Sequence, residues 1–337
     1  MLIAIDTTGG EYAPHEIVKG AIKAAQEYEV DIALVGRGSV LRTLAGRDLD
    51  KPNLTIVEAS QTIGLHEPPV KAVRSKPDSS IVVGTNLLKD GTASAFVSAG
   101  NSGAVVCAAL FNLGRIAGIE RPAIASIITV TSSSHVLLID AGANVDCRPS
   151  HLVQFAQLGT IYARQVLGIS SPRVGLLSNG EEETKGNRLV QESHQLLKKA
   201  NLNFIGNIEG QDIPRRIADV IVTDGFTGNI VLKTLEGLGD TIQNLVHHVG
   251  HAVTGAYRVQ GRLLLHVVGL DSLAKRIDYR EYGGACLLGV KGNIIIAHGR
   301  SQAKAIKNAI GLAKLTAERD ITPIIEEESH EPADYDR

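Results

Sequence analysis

Five glycine-rich polar turns, each set between a short apolar run and a helix-period segment, constrain this chain more than any other feature. They are Asp6-Thr7-Thr8-Gly9-Gly10, Ser98-Ala99-Gly100-Asn101-Ser102-Gly103, Asp140-Ala141-Gly142-Ala143-Asn144, Asn179-Gly180-Glu181-Glu182-Glu183-Thr184-Lys185-Gly186-Asn187 and Asp224-Gly225-Phe226-Thr227-Gly228-Asn229. The runs before them are rich in Ile, Val, Leu and Ala, and further runs of the same kind start at Asp31, Leu54 and Asn203. Continuous apolar strands separated by helices predict a mostly parallel sheet covered on both faces, a three-layer α/β/α fold. Two adjacent runs, 124–131 and 135–139, flank Ser132-Ser133-Ser134 and predict a hairpin. In a parallel sheet all five turns are expected at one carboxyl edge, where ligands bind. Glycine admits close backbone approach, and free N–H groups at helix starts favour an anion such as phosphate.

No repeat and no proline-rich linker divides the chain, so one catalytic domain is expected over residues 1–320. With 337 residues, 44% of them hydrophobic, a large core is available. The segment from Asp240 to Tyr282 breaks the rhythm: it is helix-prone and mixes Leu263, Leu264, Leu265 and Leu270 with His251, Arg258 and Arg262. It reads as a helical arm for dimer contacts or for a membrane surface. Residues 321–337 are acidic and expected to be disordered.

Composition excludes several classes. The formal net charge is -2 and the 34 basic residues form no stripe, so nucleic acid is not an expected partner. Cys107, Cys147 and Cys286 are widely spaced, without a CxxC pair, which fits a reducing cytoplasm. The first residues, Leu2-Ile3-Ala4-Ile5, are strand-like, so no signal peptide is expected. No apolar run reaches the ~18 residues that a membrane-spanning helix needs.

The turns carry no Walker A sequence and no G-x-G-x-x-G spacing after a strand, and no G-x-S-x-G elbow or H-E-x-x-H pair occurs. His247, His248 and His251 lack a nearby carboxylate or cysteine ligand, so neither a metal site nor a cofactor is expected. Without a protein nucleophile, the substrate itself must attack, and phosphate suits that role when amides and a cation position it. Lys185 is the candidate cation. It is read here in the first turn of a helix, where the dipole disfavours a positive charge. That placement leaves two readings open, a ligand or an ion pair with Glu181, Glu182 or Glu183. Asn229 either donates to an oxyanion or caps the next helix.

Taken together, the turns resemble those of the phosphate acyltransferases of bacterial phospholipid synthesis. The resemblance spans residues 1 to about 315 and is carried by 97–104, 140–147, 180–187, 203–210 and 224–229, followed by Leu232-Lys233-Thr234. It implies a homodimer with a fold like that of isopropylmalate dehydrogenases and phosphate acetyltransferases. It further implies transfer of a long-chain fatty acyl group from acyl carrier protein to inorganic phosphate. On this resemblance Lys185 and Asn229 serve the phosphate and the thioester carbonyl. Asp6, Gly9, Gly10, Asn101, Ser102, Gly103, Asn144, Asp224 and Gly228 help to build the same cleft. Peripheral membrane contact is expected at residues 251–270.

The chain also departs from that family. Its first turn has Thr7, Thr8, Glu11 and Tyr12 where the family commonly has Ala, Met, Asp and His. After His298-Gly299 it has Arg300-Ser301-Gln302 in place of Ser-Ser-Asp/Asn. Two other readings stay open: a small-acyl phosphate acetyltransferase, and a non-catalytic module that recruits lipid-synthesis enzymes to a membrane.

Overall fold

Along β1 (Leu2–Asp6) Ile3 and Ile5 point to one face and Ala4 to the other, all fully buried, which marks a strand covered on both sides. The computed structural model describes residues 1–51, 53–131, 134–252 and 283–329. The other strands are β2 (Asp31–Gly36), β3 (Leu54–Glu58), β4 (Ala95–Ser98), β5 (Ala123–Thr131), β6 (Ser134–Ile139), β7 (Val174–Leu177), β8 (Phe204–Ile208), β9 (Val220–Val222), β10 (Gly284–Leu288) and β11 (Asn293–Ala297). They form one sheet in the order β3-β2-β1-β4-β11-β10-β5-β6-β9-β7-β8.

Helices α1 (His15–Tyr28), α2 (Gly38–Ala45), α6 (Pro149–Gln165), α7 (Arg188–Leu197), α9 (Ala303–Arg319) and α10 (Ile321–Ser329) cover one face. Helices α3 (Pro69–Ser75), α4 (Ser80–Lys89), α5 (Ser102–Asn112) and α8 (Gly225–Ala252) cover the other. The three-layer, mostly parallel fold expected from the sequence is therefore present: among the described residues seven strand pairings are parallel and three antiparallel.

The antiparallel pairings change where the turns lie. The β5–β6 hairpin reverses the chain, and β9, β7 and β8 continue parallel to β6. The carboxyl ends of β1, β4 and β11 thus point to one edge of the sheet, and those of β6, β9 and β7 to the opposite edge. The single carboxyl edge expected for all five turns is corrected to two edges, bearing two and three turns. A second hairpin, β10–β11, fills the middle of the sheet and was not anticipated from the sequence.

The expectation of disorder over 321–337 is corrected for residues 321–329, and residues 330–337 lie outside the described residues. Residues 321–329 form α10, whose Ile321 and Ile325 are buried against α6. An i, i+4 apolar pair is enough to seat one helical turn when a partner face is waiting. Of the expected arm, residues 240–252 end α8; residues 253–282, with nearly all of the expected membrane tip at 251–270, lie outside the described residues. No described helix is long and apolar enough to cross a membrane.

Candidate active site

Asp140, directly after β6, is fully buried and organises its turn. Its Oδ1 accepts the N–H groups of Ile124, Gly142 and Ala143, and its Oδ2 those of Asn144 and the Asn144 side-chain amide, at 2.7–3.1 Å. Burial pushes the Asp140 pKa up, against these donors, which favour the ionised form. The Asn144 side-chain amide also donates to the Pro122 carbonyl (2.7 Å), and the Asn144 backbone carbonyl accepts the Gly225 N–H. Gly228 is required by contact: a Cβ there would lie 1.9 Å from the Asp140 carbonyl oxygen. This lets α8 start directly on the Asp140 turn.

Asp224 caps α8, accepting the Thr227 N–H (2.9 Å) and hydroxyl (2.8 Å). The capping role left open for Asn229 therefore belongs to Asp224. Asn229 stands exposed on the second turn of α8, and its side chain lies over Gly142, about where a Cβ would come within 3.6 Å of Cγ.

Beside it, the turn after β7 carries Lys185. Helix α7 starts only at Arg188, capped by Asn187, whose Oδ1 accepts the Val190 N–H. Lys185 thus precedes the helix, and the placement in a first helical turn is corrected. The cause is Gly186, whose φ of +90° turns the backbone out of the helical path. The turn is pinned from several sides. Asn179 accepts the Gly186 N–H, Gln191 donates to the carbonyls of Thr184 and Gly186, and Asn207 donates to that of Glu182. Asn207 is itself held by the buried His194 at 2.9 Å. Glu183 pairs with Lys198, and Lys185 makes no ion pair among the described residues. Its ammonium is exposed, while its stem lies against Gly180. Asn144, Asp224 and Lys185 therefore lie on turns at the carboxyl ends of neighbouring strands, β6, β9 and β7, with Gly228 and Asn229 at the start of α8 beside them.

The other predicted residues lie at the opposite edge. Asp6 accepts the N–H groups of Thr8 and Gly9 and the hydroxyls of Thr8 and Ser98. A Cβ on Gly9 would lie 2.4 Å from the Asp6 carboxylate and 2.6 Å from the Gly100 Cα, so the first two turns are packed backbone to backbone. Gly10 has a φ of +110° and sits near the Gly299 carbonyl. Asn101 caps α5 through Ala104 N–H and donates to the carbonyls of Gly64, Leu65 and Glu67, so both ends of its amide hold the chain. Ser102 is exposed at the start of α5, and Gly103 packs on Pro69.

Helix α8 links the two edges, and this contact was missed in the sequence. Four residues beyond Asn229, Lys233 Nζ lies 2.8 Å from Glu236 Oε2 and 2.7 Å from His298 Nε2, and His298 follows β11. Arg300 pairs with Asp240 at 3.1 Å. The i, i+4 spacing of Asn229 and Lys233 was the available signal.

Two further sites are closed by their surroundings. Burial, helped by the charge of Asp140, pushes the Cys147 thiol up to about 12, and burial does the same for Cys286; neither offers a thiolate nucleophile. Glu181, Glu209 and Asp212 bring carboxylates within 4.8 Å of one another. Asp212 accepts the Glu209 N–H and pairs with Arg215, and Glu209 accepts from Gln211, so two of the three are engaged within the chain.

Comparison with known proteins agrees with this architecture. Residues 1–323 match the family model described as fatty acid synthesis protein. The chain is 60% identical to the phosphate acyltransferase of Dehalococcoides mccartyi over 97% of its own length and 94% of the relative's. It is 50% identical to the phosphate acyltransferase of Pelotomaculum thermopropionicum over 94% and 92%. Among solved structures, a phosphotransacetylase from Streptococcus pyogenes shares the fold, with a TM-score of 0.60 at 17% identity over 94% of each chain. By the family model and by these relatives, the chain belongs to the phosphate acyltransferase family.

Proposed function

We propose that this member of the family transfers a long-chain fatty acyl group from the thioester of acyl carrier protein to inorganic phosphate. One observation carries the reading: Lys185 and Asn229 are exposed side chains beside turns that are pinned by hydrogen bonds within the chain. An ammonium and an amide held ready on pinned turns suit an anionic nucleophile and a developing oxyanion. A phosphate oxygen attacks the thioester carbon, the C–S bond breaks, and the thiolate leaves with the electron pair and takes up a proton. Lys185 offsets the phosphate charge and the Asn229 amide donates to the carbonyl oxygen as it becomes an oxyanion. Asn144, Asp224 and Gly228 serve this edge as scaffold, and the Asp6, Gly9, Gly10, Asn101 and Gly103 edge closes the domain. The product, an acyl phosphate, would feed phospholipid synthesis. On this reading the protein works in the cytoplasm as a homodimer that touches the membrane peripherally.

The test is release of free thiol from acyl carrier protein loaded with a series of acyl chains, with and without phosphate, trapping acyl phosphate as its hydroxamate. Phosphate-dependent release that rises with chain length, and falls about 100-fold or more in Lys185→Ala, is expected. Release from acetyl donors alone would move the reading to a small-acyl phosphate acetyltransferase. No release from any donor would leave the recruiting module.

A further inference from the structure

The cluster where α8 meets the turn after β11 has more partners than a surface ion pair needs. Glu236 is only 13% exposed in its side chain and takes Lys233 at 2.8 Å and His298 at 3.0 Å on the same oxygen. Burial alone would raise its pKa, but the hydrogen bonds from His298 and Lys233 hold it below the usual carboxylate range. His298 Nδ1 accepts the Arg300 N–H at 3.1 Å, so a neutral ring carries its proton on Nε2 and donates it to Glu236. Nε2 then has no lone pair for Lys233, and the other ammonium protons have no acceptor among the described residues. A surface lysine–glutamate pair at i, i+3 calls for no third group.

The face of α8 that carries Lys233 points to a ligand. Phe226, Asn229, Ile230, Lys233, Thr234 and Leu238 are all exposed and follow one another at helical spacing. This face holds an amide, a cation and apolar side chains, and the carboxylates beside them, Glu236 and Asp240, are engaged by Lys233, His298 and Arg300. Arg300, where the family resembled has serine, ties the His298 turn to α8 through Asp240 and so fixes the cluster in this chain.

We propose that Lys233 is a second cation of the acceptor-phosphate site, held in place by Glu236 and His298 as positioning residues. The inference rests on the acyl-transfer reading for the identity of the anion, and its location follows from the i, i+4 relation to Asn229. Lys185 approaches the phosphate from the β7 turn and Lys233 from α8. The apolar neighbours on α8 lie where the fatty chain of the product would begin.

The test is calorimetric titration of the folded full-length protein with inorganic phosphate, followed by the thiol-release assay. Lys233→Met and Lys233→Gln are expected to weaken phosphate binding by about 10- to 100-fold, the effect of losing a charged hydrogen bond. The KM for phosphate should rise with it while the KM for the acyl donor stays near wild type. Glu236→Gln should weaken phosphate binding by a smaller factor, and Glu236→Asp should recover part of the loss, which a merely structural role would not reproduce. Unchanged phosphate affinity in a folded Lys233 variant, or no measurable binding to the wild-type protein, would overturn the inference. A wild-type protein that binds phosphate through Lys233 yet releases no thiol keeps this inference and sinks the acyl-transfer reading.

Discussion

At one edge of the sheet Asp6 ends β1 and gathers the first turn; at the opposite edge Asp140 follows β6 and gathers the third. Both carboxylates are fully buried and both accept successive backbone N–H groups of their own turns. Their remaining partners differ. Asp6 completes its shell with the hydroxyls of Thr8 and Ser98, which can turn from donor to acceptor. Asp140 is met by N–H groups alone, four from the backbone and one from Asn144. One edge is therefore tolerant. The other is rigid, with Asn229 on the helix that starts against it and Lys185 on the turn two strands away.

The difference predicts unequal responses to the same substitution. Asp140→Asn would point an amide nitrogen at N–H donors and should lower stability by about 3–5 kcal/mol, the range for breaking a buried charged network. Asp6→Asn can present its nitrogen to Ser98 Oγ and should lose only about 1 kcal/mol. Urea unfolding of the two variants beside wild type checks this. Equal losses would break the comparison and show that the hydroxyls do not adapt.

Asn101 sharpens the contrast between edges. Its amide caps α5 and clamps the 64–67 loop, so Asn101→Ala should lower stability by about 2 kcal/mol through the lost cap and orphaned carbonyls. Turnover of the folded fraction should remain near wild type, whereas Asn229→Ala should leave stability nearly unchanged and abolish most turnover. Thermal unfolding and the thiol-release assay on the same preparations separate the two amides. A stable, inactive Asn101→Ala would instead put the acceptor site at the Asp6 edge.

Local patterns made the layers legible: the apolar runs before Asp6, Ser98, Asp140 and Asp224 are strands, and the turns after them start or precede helices. What was not legible was direction. Pairing between β5 and β10 joins residues about 160 positions apart, and no local propensity encodes it. The apolar run Ile294-Ile295-Ile296 and the turn glycines Gly289 and Gly292, both at positive φ, were nonetheless the signature of a hairpin. The β5–β6 hairpin was visible, but its consequence, that every later carboxyl end faces the other way, needed the strand order. The residues of the proposed site were legible by resemblance, and their division into engaged and exposed groups only by hydrogen bonds.

The smallest predicted effect concerns the departures in the first turn. Thr7 stands beside the first-turn glycines, where the family resembled has alanine. In the fold its side chain is fully buried, and Oγ1 donates to the Val35 carbonyl at 2.7 Å. That carbonyl also accepts the Thr7 N–H at 3.0 Å, so removing the hydroxyl leaves no acceptor unpaired. Thr7→Ala should therefore lower stability by about 1 kcal/mol or less, as for one redundant neutral hydrogen bond. Because the Thr7 hydroxyl is buried against Val35, acyl-chain preference and the KM for phosphate should not move. Paired unfolding and chain-length profiles on Thr7→Ala decide the point: a shifted profile at unchanged stability would mean that the first turn reads the substrate.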